Sequence, residues 1–192
     1  LNGYVAMDDG TAGATRIWNL TGTGAMAVGL TAQSTANGVI SGLDGSNLIK
    51  RGAQQVAFRG ANSYQGYTQI DRGQIVVVGN VALGVNGPLG NSSSPIVLGV
   101  ESANNAGSLG IGGKWNVSRD IVVTAAPGTG LNLIEARTNE RSIVSGGISV
   151  ATGAIVTLGA QAGSNATSAS GGLEIQGPIS GAGAVTFGTT AA

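Results

Sequence analysis

Between Gly153 and Gly159 the chain reads Ala154-Ile155-Val156-Thr157-Leu158, and this short run decides the fold class. Val156 and Leu158 are two positions apart, so in an extended strand they share one face. Runs of the same kind recur at 74–78, 95–100, 120–124, 131–136, 173–176 and 184–187, rich in Val, Ile, Leu and Thr. Each is bounded by Gly, Asn, Asp or Ser, and in Leu173-Glu174-Ile175 the two apolar residues again face together. Short apolar runs between turn residues read as many short strands. Glycine sharpens this: 35 of the 192 residues are Gly, about 18% against a usual share of about 7%. Each glycine inside a helix costs about 1 kcal/mol relative to alanine, so helices are excluded over most of the chain.

The remaining composition excludes function classes. There is no Cys and no His. That removes disulfide frameworks, zinc and iron–sulfur sites, thiol nucleophiles and histidine-based catalysis. Nine basic and nine acidic residues cancel, with no basic run, which argues against nucleic acid or an anionic membrane as partner. The chain is 42% apolar and only 9% charged, so disorder is not expected, and four prolines without a Gly-X-Y period exclude collagen. No signal peptide is seen in the first ten residues and no stretch approaches the roughly 18 apolar residues of a transmembrane helix. The chain therefore reads as a mature product or a piece of a longer one.

The interior must be built from small aliphatic side chains, because only 2 Trp, 3 Tyr and 2 Phe are present. A narrow core of stacked Val, Ile, Leu and Ala suits a right-handed parallel β-helix, a β-solenoid in which each coil lies on the last. Internal similarity points the same way. Leu20-Thr21-Gly22-Thr23-Gly24-Ala25-Met26-Ala27-Val28-Gly29 matches Ile179-Ser180-Gly181-Ala182-Gly183-Ala184-Val185-Thr186-Phe187-Gly188 position by position, and a third copy opens at Ile40-Ser41-Gly42. Trp18-Asn19 echoes Trp115-Asn116, which suggests equivalent places in two coils. Coils of roughly 20 residues give roughly nine rungs and a rod on the order of 40 Å long. Segments 84–95 and 159–172 read as loops too polar and glycine-rich to pack. With the same strand composition on both sides of each, residues 1–192 read as one domain.

Residues 40–84 resemble the autotransporter-associated β-strand repeat, also called the passenger-associated transport repeat. The match runs through Ile40, Ser41 and Gly42, then Leu48-Ile49-Lys50 and Gly52. Its most specific part is Gly60-Ala61-Asn62-Ser63-Tyr64-Gln65-Gly66 with Thr68 and Ile70 after it. It closes with Gly73, Ile75, Gly79, Asn80, Ala82, Leu83 and Gly84. Segment 54–59 departs from the usual Gly-Thr-Leu-x-Leu form, and Ile179-Ser180-Gly181 looks like the opening of a second copy. The resemblance covers about a quarter of the chain. It implies an exported Gram-negative surface protein with a right-handed β-helix, displayed as an adhesin or spacer. No translocator barrel is present to carry the export. Read physically, Asn62 and Asn80 beside glycines are turn residues, Tyr64 and Phe58 cover the core at a corner, and Gly66 and Gly73 mark bends.

Right-handed β-helices also carry polysaccharide-acting enzymes, so the nine carboxylates matter: Asp8, Asp9, Asp44, Asp71, Glu101, Asp120, Glu135, Glu140 and Glu174. A glycosidase needs two of them about 5 Å or about 6.5–9.5 Å apart, and a calcium site needs about six to eight oxygen ligands. One coil spacing brings Asp120 near Glu135 or Glu140, but Arg119, Arg137 and Arg141 lie beside them and suggest an exposed ion-pair patch. Asp8-Asp9-Gly10 and Asp44-Gly45 are turn sequences. Gly107-Ser108-Leu109-Gly110-Ile111-Gly112-Gly113-Lys114 lacks the spacing and the Ser/Thr of a phosphate loop and reads as a strand edge. Trp18 and Trp115 are candidate sugar platforms, weighed against plain structural positions.

The expectation is thus an extracellular structural β-solenoid without catalysis, cofactor or metal. Its partners would be further copies stacked head to tail, the continuation of its own polypeptide, or surface glycans and a neighbouring cell surface. The rival readings are a polysaccharide-acting β-helix enzyme and a viral fibre segment.

Overall fold

The computed structural model describes residues 5–6, 15–19, 26–28, 40–41, 47–51, 55–99, 106–124, 132–161 and 172–190. Among these every regular element is a strand, numbered below in chain order. One seven-stranded sheet runs β2 (Thr15–Asn19), β5 (Asn47–Arg51), β7 (Thr68–Ile70), β9 (Ile96–Leu98), β12 (Ile121–Val123), β15 (Ile148–Val150) and β18 (Ile179–Gly181). A second, also seven-stranded, runs β3 (Met26–Val28), β6 (Gln55–Phe58), β8 (Gly73–Val77), β10 (Gly107–Ile111), β13 (Asn132–Ala136), β16 (Ile155–Gln161) and β19 (Ala184–Thr190). The third side holds β11 (Asn116–Val117), β14 (Arg141–Val144) and β17 (Gly172–Ile175), and a separate pair joins β1 (Val5–Ala6) to β4 (Ile40–Ser41).

Every pairing between these strands is parallel, and partners in a ladder are one turn of chain apart. That is a β-solenoid. From β7 to β17 the chain makes four turns that touch all three sides, the first reaching the third side through a parallel bridge from Val81 to Val117.

Coils are longer and less regular than roughly 20 residues. Leu48 pairs with Thr68, 20 positions on, but Thr68 pairs with Ile96, 28 positions on, and Ile148 with Ile179, 31 positions on. The three-sided course takes up the difference. Each long sheet accordingly has seven strands among the described residues, where roughly nine coils were expected.

The core follows from alternation. In β16 the inward Val156 and Leu158 are buried while Ile155 is exposed, as the period-two pattern of that run requires. Register then stacks like on like. Ile96, Ile121 and Ile148 form one column of the first sheet, with Leu98, Val123 and Val150 beside it. Ile75, Leu109, Ile134 and Leu158 form a column of the second sheet, and Val117, Val144 and Ile175 one of the third. Branched aliphatics stacked at a spacing of about 4.8 Å fill most of the narrow interior, and among the described aromatics Phe58 and Tyr64 are fully buried in it.

Three expectations change. The copies of the Ile-Ser-Gly phrase are not equivalent places, since Ile40 lies on β4 and Ile179 on β18 of the first sheet. The aligned decapeptides are also out of register by two. Met26 occupies the column of Val56, Ile75, Leu109, Ile134, Leu158 and Phe187, not that of Val185. Likewise Trp18 is on β2 of the first sheet and Trp115 immediately precedes β11 of the third, so their echo marks no shared position. With coils of variable length, short phrases drift from one side to another.

Candidate functional site

The motif of residues 60–68 folds into the interior. After β6 the chain turns at Gly60, and Asn62 Oδ1 accepts the Ile40 N–H at 2.9 Å while its Nδ2 donates to the Pro88 carbonyl at 2.8 Å. One amide side chain thus ties the coil before it to the loop after it. Tyr64 is fully buried, and its hydroxyl shares a 2.7 Å hydrogen bond with Thr68 Oγ1. Burial pushes this phenol up to about 12, against the opposing pull of the Thr68 bond and the Arg119 charge. Gly90, at φ 75, lies on the Tyr64 ring, where a Cβ would meet the ring carbons at 3.0 Å.

The rest of the motif lies along the same turns. Gly66 is buried, Gly73 opens β8 with φ 70, and Asn80, next to Gly79, accepts the Asn116 N–H at 2.9 Å. Leu83 projects outward beside Gly84. Ser41 ends β4, while Gly42 lies outside the described residues. Ile179, Ser180 and Gly181 make up β18, at the open end of the first sheet.

Segment 84–95 is not a detached loop. Leu89 and Ser92 are fully buried, and Asn91 N donates to the Tyr64 carbonyl at 2.8 Å. What pins it is Arg119, which the sequence placed in an exposed patch. The structure buries it completely: Nε and Nη2 donate to the Ser94 carbonyl at 2.9 and 2.7 Å, and Nη1 to the Leu89 carbonyl at 2.6 Å. Desolvation lowers its pKa, partly offset by Tyr64. No periodicity in the sequence signals this, because an arginine before a strand reads as surface.

The supposed ion-pair patch separates into two. Arg141 and Glu174 pair on the exposed third side, and that pairing, with a bond from Gln176, holds the Glu174 carboxyl below its usual range. Glu135 is instead buried on the outer face of the second sheet, where Gln74 Nε2 donates to it at 2.6 Å and Arg137 Nη1 at 2.9 Å. Gln74 reaches it from two rungs away, across β10, because Gly110 intervenes. A Cβ at Gly110 would meet the Arg137 Cγ at 2.9 Å. Residues 107–111 therefore form β10 inside the seven-stranded sheet, not a strand edge.

The other described carboxylates hold backbone or amide groups. Asp120 Oδ1 accepts the Gly147 N–H at 2.8 Å, Glu140 Oε2 the Lys114 N–H at 3.3 Å, and Asp71 Oδ1 the Gln69 amide at 2.6 Å. Asp8, Asp9, Asp44 and Glu101 lie outside the described side chains. Among the described residues no three acids gather as a metal site.

Lys50 is a second buried cation among the described residues. Its register partner is the inward Ile70, and its Nζ donates to the Arg72 carbonyl at 2.7 Å. Desolvation, then the Arg72 charge, lowers its pKa to about 8.

Among the described residues two concavities stand out. A groove of about 510 Å³ follows the corner between the third and first sheets, lined by Ser118, Asp120, Ser145, Ser149, Pro178 and Ser180 from successive coils. A smaller one of about 230 Å³ opens at the C-terminal coil, between Leu158, Leu173, Ile175 and Phe187. The fold defines the class: a parallel β-solenoid. In comparison with known proteins, the chain matches no family model, no curated protein and no solved structure.

Proposed function

We propose that this chain is a structural β-solenoid of an exported bacterial protein, a stiff surface spacer or adhesive rod like the autotransporter passenger repeats it resembles. The observation that carries the reading is the uninterrupted run of parallel ladders over seven strands in each long sheet. Such ladders transmit load along the axis through many backbone hydrogen bonds at once. The coil is taken as right-handed, the hand of nearly all parallel crossovers. The described carboxylates support a structural rather than a catalytic role, since each holds a backbone N–H, an amide or an arginine.

In this reading the groove of hydroxyls along one corner is the face offered to a neutral, polyhydroxylated surface such as a glycan. It has no cationic side chain among its lining residues.

The test is the shape and strength of the purified chain. Small-angle scattering is expected to give an elongated rod, and single-molecule pulling between the two ends a high unfolding force. A compact particle that unfolds at low force would dismiss the spacer reading.

A further inference from the structure

The corner between the third and first sides repeats from coil to coil. Ile96, Ile121, Ile148 and Ile179 are register partners, and the residues just before them, Pro95, Asp120, Gly147 and Pro178, form a column at the corner. Backbone bonds hold that column: Ile96 N donates to the Asp120 carbonyl, Ile121 N to that of Gly147 and Ile148 N to that of Pro178, each at 2.8 Å. The groove of about 510 Å³ follows it.

Gly147 opens a notch in this column. With no side chain there, a gap is left between the Asp120 carboxylate on one rung and the Pro178 ring two rungs on, a span of about 10 Å. The fold does not require this glycine. It has no positive φ, and a Cβ on it would make ordinary contacts, 3.4 Å from Asp120 Oδ1 and 3.6 Å from Pro178 Cγ. Its neighbour Gly146 is different, because a Cβ there would strike the Arg119 carbonyl.

The walls of the notch are chemically unlike. Asp120 is exposed; its Oδ1 accepts the Gly147 N–H at 2.8 Å, and its Oδ2 has no partner among the described residues. Arg119 is turned inward to the Ser94 and Leu89 carbonyls, and no lysine or arginine lines the groove. Along the same coil Ser145 donates its Oγ to Asn116 Oδ1 at 3.0 Å and keeps lone pairs to accept, while the exposed Ser149 hydroxyl has no partner among the described residues. A ring with hydroxyls on its edge and C–H groups on its face suits all of these. Its hydroxyls donate to Asp120 and Ser145 and accept from Ser149, and its C–H face lies on Pro178. A uronate or sulfate would instead meet an unneutralised carboxylate. The coil spacing of about 4.8 Å is also close to the length of one sugar residue in an extended chain, so successive rings can follow successive rungs.

We propose that the notch at Gly147 seats one ring of an uncharged glycan chain, and that Asp120 selects uncharged over acidic chains. This rests on the glycan-facing groove of the reading above and names its central subsite.

Two variants separate shape from charge. Gly147→Ala fills the notch with a methyl that its neighbours accept at ordinary contact distance, so the fold is kept. Asp120→Asn retains an acceptor for the Gly147 N–H and removes the charge. The chain is titrated with cellohexaose and mannohexaose as uncharged probes and with a hyaluronan hexasaccharide as the acidic one, followed by amide NMR shifts. At least one uncharged probe should shift the amides of Asp120, Gly147 and Ser149 saturably, and hyaluronan should not. Gly147→Ala should abolish the shifts. Asp120→Asn should weaken uncharged-probe binding about tenfold, the loss expected for one hydrogen bond to a charged group, and narrow the gap to hyaluronan.

The proposal is overturned if neither uncharged probe shifts these three amides at millimolar concentration, or if Gly147→Ala or Asp120→Asn leaves binding unchanged. Hyaluronan binding as tightly as the uncharged probes overturns it too. Any of these results on a chain that scatters as a rod leaves the spacer reading intact, whereas a compact particle defeats that reading, and the amide shifts decide the subsite separately.

Discussion

Replacing Arg119 by Met gives the sharpest test of how the coils are held. The side chain donates three hydrogen bonds to two carbonyls, Ser94 and Leu89, in a fully buried setting. Methionine fills much of the space and donates nothing, so both carbonyls lose their charged partner. Hydrogen bonds to charged groups contribute about 1.5–3 kcal/mol each, and a buried acceptor left unmade costs about 1–3 kcal/mol. Against this, the cost of burying a guanidinium disappears, and it amounts to several kcal/mol. The net expectation is a loss of about 2–4 kcal/mol, most of it local to residues 84–95. Arg119→Lys should do no better, because an ammonium lacks the planar fork that reaches both carbonyls. Hydrogen exchange is the assay, read at Asn91, whose N–H bonds the Tyr64 carbonyl, and at Gly90, whose N–H bonds Gly87. Exchange there should quicken by about 30-fold or more while the amides of β12 to β16 change much less. Unchanged protection at Asn91 in Arg119→Met, with an unchanged denaturation midpoint, would refute the clamp.

Two further outcomes follow from buried polar groups. Lys50 has its pKa lowered to about 8 from 10.5, so between those values the unfolded chain binds more protons and stability rises with pH. Below about 8 both states carry the charge and the gain is absent. Lys50→Met should flatten the rise between pH 8 and 10.5 in urea titrations followed by circular dichroism. A slope that survives would assign the titration to another group. Separately, Gly110→Ala forces the Arg137 stem off the strand and lengthens the bridge to Glu135, at a cost of about 1–2 kcal/mol. A melting temperature equal to the parent's would mean the cluster tolerates the methyl.

The sequence makes some of this legible and hides the rest for physical reasons. Strand existence follows from alternation in runs such as 154–158, where one face must be apolar and the other need not be. The solenoid class follows from many small aliphatics and few aromatics, since stacked columns of Ile and Val need no large side chain. Coil length does not follow, because nothing local distinguishes a 20-residue coil from a 31-residue one. The third side, made of strands as short as Asn116–Val117, gives too few residues for a period. Burial of Leu89 and Arg119 depends on contacts between successive coils, 25 to 30 residues apart in sequence, and a glycine-rich stretch such as 84–95 carries no mark that it folds inward. Asn62 and Asn80 beside glycines read as turn residues from the sequence, whereas the structure shows their side chains reaching other coils. Their hydrogen-bond partners, 22 and 36 positions away, could not be read.

In most solenoids each coil touches only its immediate neighbours, so the rod can come apart one rung at a time like a zipper. The hydrogen bond from Gln74 on β8 to Glu135 on β13 passes over β10 and skips that rule. Peeling from the C-terminal end would release β19 and β16 singly, then meet a stretch where three rungs must yield together. A force trace should therefore show small steps followed by one large one, and the glycine at position 110 is what sets where the break falls.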